Sequence, residues 1–591
     1  MNQTFDLGHI YKNREEFIVI GLTGRTGAGC SFVSSIFSKE SLDESFPAVE
    51  KIDLNNNKRK YKIARNFLEQ NWKPFYTLKY SKVLSLIAYK EKLENVEELL
   101  DTTLFEFSKD FEISDFETEK KALLKLRGTT QFEDIDLNSK TNEENIFTLF
   151  EKNQDFQKFH NNFESCLKKV SEKNRILILH NLCNNQRKGG CYHCSPDPDF
   201  EGIYSISKII NRIIKGYRKF QKKTDSPCRV IIDSLRNPLE IMFFKERYSA
   251  FYTLAINPNE DVRKNQLKNR FKNEFESIIK IDSLEYGTKN NKTDFYKQNV
   301  QQCIQKADLH LSFKESESYP FNIEQQIVIF YSLMLHPGII TPSPQERCMQ
   351  IAYTAKYNSG CISRQVGAVI TDENYAIKSV GWNNTPEMQT PCLLRDAEDL
   401  VSGKDENAFS EYEKDKTSGV NIELTSKLEN LDKTNLKGHH CSFCFKDFHN
   451  SVVEGKNQVH TRSLHAEENA MLQLTKYGGQ GIENGILFTT ASPCELCSKK
   501  AYQLGIKKVF YIDPYPGIAE KQILNCGDRN IDLSLFTGAI GKAYHRFYEP
   551  FMAYKDEIYI RTGMVVENKV KKLENENIEL KRRISELEEK H

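Results

Sequence analysis

No run of apolar residues in this chain approaches the roughly 18 needed to cross a bilayer. The first residues, MNQTFDLGHIYKNREEF, hold no apolar core of signal-peptide length. These absences set aside a membrane protein and point to the cytoplasm. Neither sign of charge is in excess: 83 Lys and Arg against 82 Asp and Glu leave a formal +1, so no global field recruits nucleic acid or membrane. There is no internal repeat, which sets aside a solenoid. Fifteen cysteines without a secretory signal argue for reduced thiols and metal sites rather than a disulfide framework. What the chain does have is length. Its 591 residues, 39% hydrophobic and 28% charged, are too many for one core, so two or three domains are expected.

Strand-like and helix-like segments alternate, which predicts an α/β fold with parallel sheets covered on both faces. In the first half the β-like runs are 16–22 (EFIVIGL), 175–180 (RILILH), 229–233, 250–256 and 308–313, with a helical insertion over 90–170. IITPSP at 339–344 reads as a linker. In the second half the pattern predicts helix 345–357, strands 366–371 and 376–381, and an irregular polar insert from about 385 to 460. Helix 464–477, strand 486–490, helix 494–504 and strand 508–512 follow.

His465-Ala466-Glu467 opens one helix and Pro493-Cys494-Glu495-Leu496-Cys497 opens another after a strand. One histidine and two thiolates leave the fourth position of a tetrahedral Zn2+ open for water, whose pKa the metal lowers toward roughly 7. Cys494 and Cys497 lie one turn apart at a helix N-terminus, where the dipole favours thiolate. Glu467 stands where a closed structural site would need a further Cys or His. It is placed to carry protons from that water to the ring nitrogen and then to departing ammonia.

With ERCMQIAYTAKYNSGCISRQVGAVITDENYAIKSVGWNNTP at 346–386, HAEENA and TTASPCELC, the second half resembles deoxycytidylate deaminases over about 200 residues. That resemblance implies a cytidine-deaminase-like three-layer α/β/α domain. It also implies that Asn383, in the turn Gly381-Trp382-Asn383-Asn384, binds the deoxyribose and that Tyr515 is the pocket aromatic. Trp382 and Asn384 depart from the family's usual G-Y-N-G turn. Phage-type members have a structural zinc on cysteines matching Cys361 and Cys392, and Cys441 and Cys444 would complete a site of four thiolates. The resemblance implies a free nucleotide as the substrate, and the zinc motifs carry no basic and aromatic run that would track a polynucleotide. A polynucleotide-editing deaminase and a biosynthetic dCMP deaminase are the alternatives.

In the first half, Gly24-Arg25-Thr26-Gly27-Ala28-Gly29-Cys30-Ser31 follows a strand and precedes a helix, the context of a Walker A loop. Cys30 stands where the phosphate-binding lysine belongs, so charge must come from Arg25 or another arginine. Ser31 would bind Mg2+ with a purine nucleotide, and Asp233, ending a hydrophobic strand, fits a Walker B role. Arg236-Asn237-Pro238, Glu240, Arg263 and Arg270 resemble the distal half of nucleoside-monophosphate-kinase-like domains. The expectation is nucleotide binding without phosphoryl transfer. Cys183, Cys191 and Cys194, beside His180 and His193, read as structural zinc or as free buried thiols. The basic amphipathic helix 208–223 reads as a surface helix, or as a dock for a nucleic-acid regulator.

Beyond Gly563, Val566, Leu573, Leu580 and Leu587 recur every seven residues, with Val570, Asn577 and Ile584 at the other seam position. Lys569 with Glu574, Glu576 with Lys581 and Arg583 with Glu588 match in sign across a parallel pair, which predicts a short coiled coil and a homo-oligomer. The expected division is a P-loop kinase-like domain at 1–335, a zinc deaminase domain at 336–555 and a helical tail at 556–591. That combination is similar to the bacterial anti-phage deaminases that convert dCTP and dCMP to uracil forms.

Overall fold

In the computed structural model of the chain, the described residues run from 7 to 588. Residues 44–45, 48–54, 91–95, 108–116, 128–135, 138–142, 169–170, 194–200, 259, 288–293, 314–319, 456–458, 479–480, 515–517 and 564–568 are excepted. Two sheets organise them. The first contains β1 (Phe17–Thr23), β2 (Tyr76–Lys79), β3 (Cys228–Asp233), β4 (Phe251–Asn257) and β5 (Leu309–Ser312). The second contains β6 (Gly367–Thr371), β7 (Ile377–Trp382), β8 (Ile486–Ala491), β9 (Lys508–Asp513) and β10 (Asp532–Leu535), while β11 (Gly538–Ala539) returns to the first.

β1 is central and wholly buried because FIVIGLT is apolar on both pleat faces. It pairs in parallel with β3 and β4, while β2 extends β3 and β5 extends β4, also in parallel. Val19, Val230 and Ile232 face one helical layer with Leu84, Phe147 and Ile210. Ile18, Ile20 and Leu22 face another with Val33, Phe37 and Leu333. In the second sheet β6 runs antiparallel to β7 and β8, and β8, β9 and β10 are parallel. Ala368 and Ile370 face Ala466, Ala470 and Met471, and Val369 between them faces Cys348, Met349 and Ala352. The alternation gives three layers, helix over sheet over helix.

The two halves interlock near the expected linker. β11 pairs antiparallel with β5, Gly538 opposite His310, so the C-terminal half contributes an edge strand to the first sheet. Glu346, at the start of helix Pro344–Ala355, accepts hydrogen bonds from Ser343 N–H at 2.8 Å, Ala539 N–H at 2.9 Å and the Tyr548 hydroxyl at 2.8 Å. The 339–344 segment is therefore pinned at its end by a capping box.

Two expectations are corrected. RILILH is not a strand but part of helix Glu172–Gly189, capped by the Ser171 side chain and ended by left-handed Gly190. The helix is buried on nearly every side, so its apolar run carries no readable period. The 385–460 insert is not irregular: helices Ala397–Ser402, Gly419–Glu429 and Phe445–Val452 enclose a small core of Leu400, Phe409 and Leu424. The described residues of the first-half insertion are largely helical, including Val96–Phe107, Glu143–Lys152 and Gln154–Lys168.

The basic helix spans Ser205–Lys223, with Ile209 and Ile213 buried. Its lysines are largely answered from within: Lys215 and Lys219 pair with Glu143 at 3.0 and 2.9 Å, and Lys223 with Glu144 at 2.6 Å. The tail forms helix Lys569–Glu588, and Leu573, Leu580, Ile584 and Leu587 on it are exposed. Val566 lies outside the described residues. Among the described residues no helix is long and apolar enough to cross a membrane.

Candidate active site

Helix Ala466–Tyr477 begins at His465, whose backbone N–H donates to Glu468 at 3.4 Å. Helix Glu495–Gln503 begins at Cys494, just beyond the end of β8. Both starts meet. His465 Nδ1 lies 3.3 Å from Cys494 Sγ and 3.4 Å from Cys497 Sγ. A tetrahedral zinc with bonds of about 2.3 Å to sulfur and about 2.0 Å to nitrogen needs its donors about 3.5 Å apart, so this set fits the ion. Among the described residues it is the one group of His, Cys, Asp or Glu in which at least three ligand atoms gather within 4.8 Å.

The electrostatics suit a metal-binding thiolate and a proton carrier. The Cys494 thiol is pushed down to about 4, first by the hydrogen bond from Cys497 and, against burial, by His465. That same bond pushes Cys497 up, and His465 is raised by Cys494. Glu467 is 4% exposed, and burial raises its carboxyl above the usual range. The Thr489 hydroxyl donates to Glu467 Oε1 at 3.1 Å. A buried carboxyl whose proton affinity is raised above that of an ordinary carboxylate is suited to taking and returning a proton.

A cavity of about 250 Å3 lies over these groups, lined by His465, Glu467, Cys494, Asn383, Arg364 and Ser492 among others. Asn383 Oδ1 accepts from Val366 N–H at 2.7 Å and its Nδ2 donates to the Arg364 carbonyl at 2.7 Å, which clamps the residue expected at the sugar. Tyr515 lies outside the described residues. Arg364 and its partner Asp513 were not anticipated. Arg364 stands in the lead-in to β6, and Asp513 ends an apolar strand, where its acid alone was no signal.

The second set of thiols does not form the expected four-thiolate site. Cys361, Cys392 and Cys444 line the same cavity, with His460. Cys392 is pushed down to about 6, first by the hydrogen bond from Cys444, and Arg395 donates to its sulfur at 3.1 Å. Cys441 is elsewhere. Its N–H donates to Asp396 and its carbonyl accepts from Ala397 N–H at 3.0 Å, which holds it on the core of the helical insert. Among the described residues the Cys183 group is not gathered as a set of metal ligands: Cys183 is buried within its helix and pushed up to about 12 by that burial. His180 bonds Glu285 at 2.6 Å, Cys191 is disulfide-bonded, and Cys194 lies outside the described residues.

The sequence comparisons meet this geometry. The model of the cytidine and deoxycytidylate deaminase zinc-binding region matches residues 342–513. The deoxycytidylate deaminase of Enterobacteria phage T4 is 32% identical over 168 residues, which are 28% of this chain and 76% of that protein. The chain belongs to the deoxycytidylate deaminase family. It is an enzyme of that class, with a zinc-binding domain. The deoxycytidylate deaminase of Schizosaccharomyces pombe is 29% identical over 31% of this chain and 41% of that protein. A crystal structure of the dCMP deaminase from cyanophage S-TIM5 in complex with dCMP and dUMP is 23% identical and covers 33% of this chain and 99% of that one. Its TM-score of 0.21 adds nothing to the case.

Outside this deaminase half, the glycine-rich turn after β1 has its own geometry. Gly27 and Gly29 adopt φ of 80° and 95°, and a Cβ on Gly29 would come within 2.9 Å of the Phe313 ring, so both positions demand glycine. Helix Cys30–Phe37 starts there. Ser31 Oγ donates to Asp233 Oδ2 at 2.7 Å, which brings the two expected Mg2+ residues together. Burial, with Asp233 nearby, pushes the Cys30 thiol up to about 12, so it supplies no charge. Arg25 is turned onto Asp282 and Glu260. Against the cost of burial, Arg236 and His180 hold Glu285 down to about 2. A cavity of about 930 Å3 opens over the turn, lined by residues 25–31 together with Lys79 and Arg270.

Replacing Cys497 with Ala removes one of the two thiolates. Zinc per chain, measured by plasma mass spectrometry after dialysis, is expected to fall from about one equivalent to a small fraction, with far-ultraviolet dichroism unchanged. Full retention of zinc would remove Cys497 from the ligand set.

Proposed function

We propose that the chain hydrolyses the 4-amino group of deoxycytidine nucleotides, dCMP, dCTP or both, to give the deoxyuridine nucleotide and ammonia. The observation that carries this is the convergence of His465, Cys494 and Cys497 beside buried Glu467, in a family whose phage T4 and fission yeast members are named deoxycytidylate deaminases. When bound, zinc supplies a water activated for attack at neutral pH. Glu467 takes the proton of the attacking water, delivers it to ring N3, and returns a proton to the leaving amine, with Thr489 orienting the carboxyl throughout. Asn383, fixed by Val366 and Arg364, meets the sugar.

Glu467→Ala is expected to keep zinc while losing at least about 1000-fold in turnover, since one group serves every proton transfer. The measurement is ammonia release from dCMP, dCTP, CTP and cytidine, offered separately. Wild-type activity in this variant would refute the role of Glu467, and a wild type that releases ammonia from CTP or cytidine but from neither deoxynucleotide would refute the substrate class.

The N-terminal half, in this proposal, is a P-loop kinase-like domain that binds a purine nucleotide with Mg2+ and gates the deaminase. The whole draws down the cytosine deoxynucleotide pool in anti-phage defence. Support comes from the strand–glycine turn–helix sequence, the Ser31–Asp233 contact and the two cavity cations, Lys79 and Arg270, that carry no carboxylate partner among the described residues. Calorimetry is expected to give MgATP binding that weakens about tenfold or more in a Lys79→Ala, Arg270→Ala double variant. Equal affinity in the variant would show that the phosphates lie elsewhere.

The tail is proposed to pair copies of the chain. Its exposed Leu573, Leu580 and Leu587 repeat with the heptad, and burying them is what a parallel coiled coil offers. Leu580→Glu is expected to lower the mass seen by sedimentation equilibrium; an unchanged mass would place the oligomer contact outside the tail.

A further inference from the structure

We infer that Asp513 is a positioning residue that holds Arg364 at the deaminase cavity, and that the N-terminal half supplies the donors that hold Asp513. The inference rests on the deaminase reading of that cavity. Asp513 ends β9 and its side chain is wholly buried. Its carboxylate accepts from the Tyr286 hydroxyl at 3.2 Å, Gln301 Nε2 at 3.1 Å and Gln305 Nε2 at 2.7 Å. These three come from the N-terminal half, and the fourth partner is Arg364. A carboxylate accepts about four hydrogen bonds, so this one is filled and its place is fixed. Its backbone carbonyl accepts from Ser492 N–H at 2.9 Å, just before Pro493 and Cys494. One residue therefore touches the metal-ligand turn, the cavity arginine and the neighbouring domain.

Arg364 is the cavity cation best placed to meet an anion. Arg395 is 2% exposed and tied to Glu413. Arg462 spends its two terminal nitrogens on Glu413 and on the carbonyls of Ala408 and Thr390, and Lys446 pairs with Asp447. Arg364 keeps a third of its side chain exposed with one carboxylate partner, and a guanidinium has five N–H donors. It lies beside Asn383, whose amide holds the Arg364 carbonyl. A nucleoside 5′-phosphate is the anion that fits a cavity with a sugar contact next to a cation. The path also continues away from the cavity: the Arg25 guanidinium sits 5.0 Å over the Tyr286 ring, so the glycine-rich turn abuts the same donor that steadies Asp513.

The test uses the full chain and the product nucleotide, so it does not depend on turnover. Calorimetry with dUMP and with deoxyuridine separates phosphate recognition from base and sugar recognition. Arg364→Ala and Asp513→Asn are expected to weaken dUMP about tenfold or more and deoxyuridine less than about twofold. Tyr286→Phe keeps the ring under Arg25 and removes only the hydroxyl. It is expected to weaken dUMP about threefold, again sparing deoxyuridine, and it serves if Asp513→Asn does not fold. Equal loss for both ligands in Tyr286→Phe, or no loss for either, would overturn the inference, as would a wild type that binds dUMP no tighter than deoxyuridine. A wild type that binds dUMP tightly but releases no ammonia from dCMP or dCTP, with and without MgATP, would refute the deaminase reading and leave the positioning role standing.

Discussion

The metal-ligand geometry depends on how low helix Ala466–Tyr477 lies on the sheet. A Cβ at Gly381 of β7 would come within 2.4 Å of the Ala466 carbonyl and the Ala470 nitrogen, so the strand must carry glycine where the helix crosses. Ala466 and Ala470 complete that close seat from the helix side, and Asn469 Nδ2 bonds the Trp382 carbonyl at 2.9 Å, which fixes the helix along the strand. His465 and Glu467 belong to the start of this helix, and the thiols belong to a different helix after β8. Lifting the first helix by about an ångström would open the 3.3 Å separation of Nδ1 and Sγ beyond what one ion can bridge. The chemistry is set by a strand with no side chain at one position.

A second constraint is the burial of charge between the halves. Asp513 is a carboxylate taken out of water and surrounded by donors from distant segments, three of them in the N-terminal half. Such groups add little net stability, because desolvation consumes most of the electrostatic gain. What they do is penalise any other arrangement, since a shifted domain would strand a bare carboxylate. The antiparallel β11 on β5 acts the same way through backbone pairing. The deaminase sheet and the N-terminal sheet are therefore held in one relation by directional contacts.

Much of the deaminase half was legible because its signals are local. The H-x-E and P-C-x-x-C segments sit at helix starts whose ends are marked in sequence, and β6, β8 and β9 are apolar runs of strand length. The failures share a cause: they turn on contacts between distant segments. RILILH has no face because helix Glu172–Gly189 is enclosed, although Ser171 and Gly190 marked its ends. Four-residue β2 and two-residue β11 are too short to carry a period. Cys441 has the spacing of a ligand with Cys444, but the Asp396 turn directs it into the insert's own core. Arg364 and Asp513 could be recognised only once the two halves were placed together.

The glycine-rich turn illustrates how a loop can suit a nucleotide without suiting transfer. Transfer needs a cation that follows the phosphoryl group, and a neutral thiol at Cys30 cannot do this. Arg25 and Arg236 are near enough to be considered, yet each is committed to buried acids, Asp282 and Glu285. Releasing either would cost a buried carboxylate one of its cation partners, leaving Asp282 with Arg263 alone and Glu285 with His180. Ground-state binding makes a lesser demand: amides at a helix start, a hydroxyl and an acid for a metal, and cations at the rim. Those are the elements present in Gly29 and the helix after it, Ser31 with Asp233, and Lys79 with Arg270. Under the proposal of a gating nucleotide, a thiol in place of the lysine favours binding over transfer. Occupancy would then follow concentration, which is the property a sensor of the nucleotide pool requires.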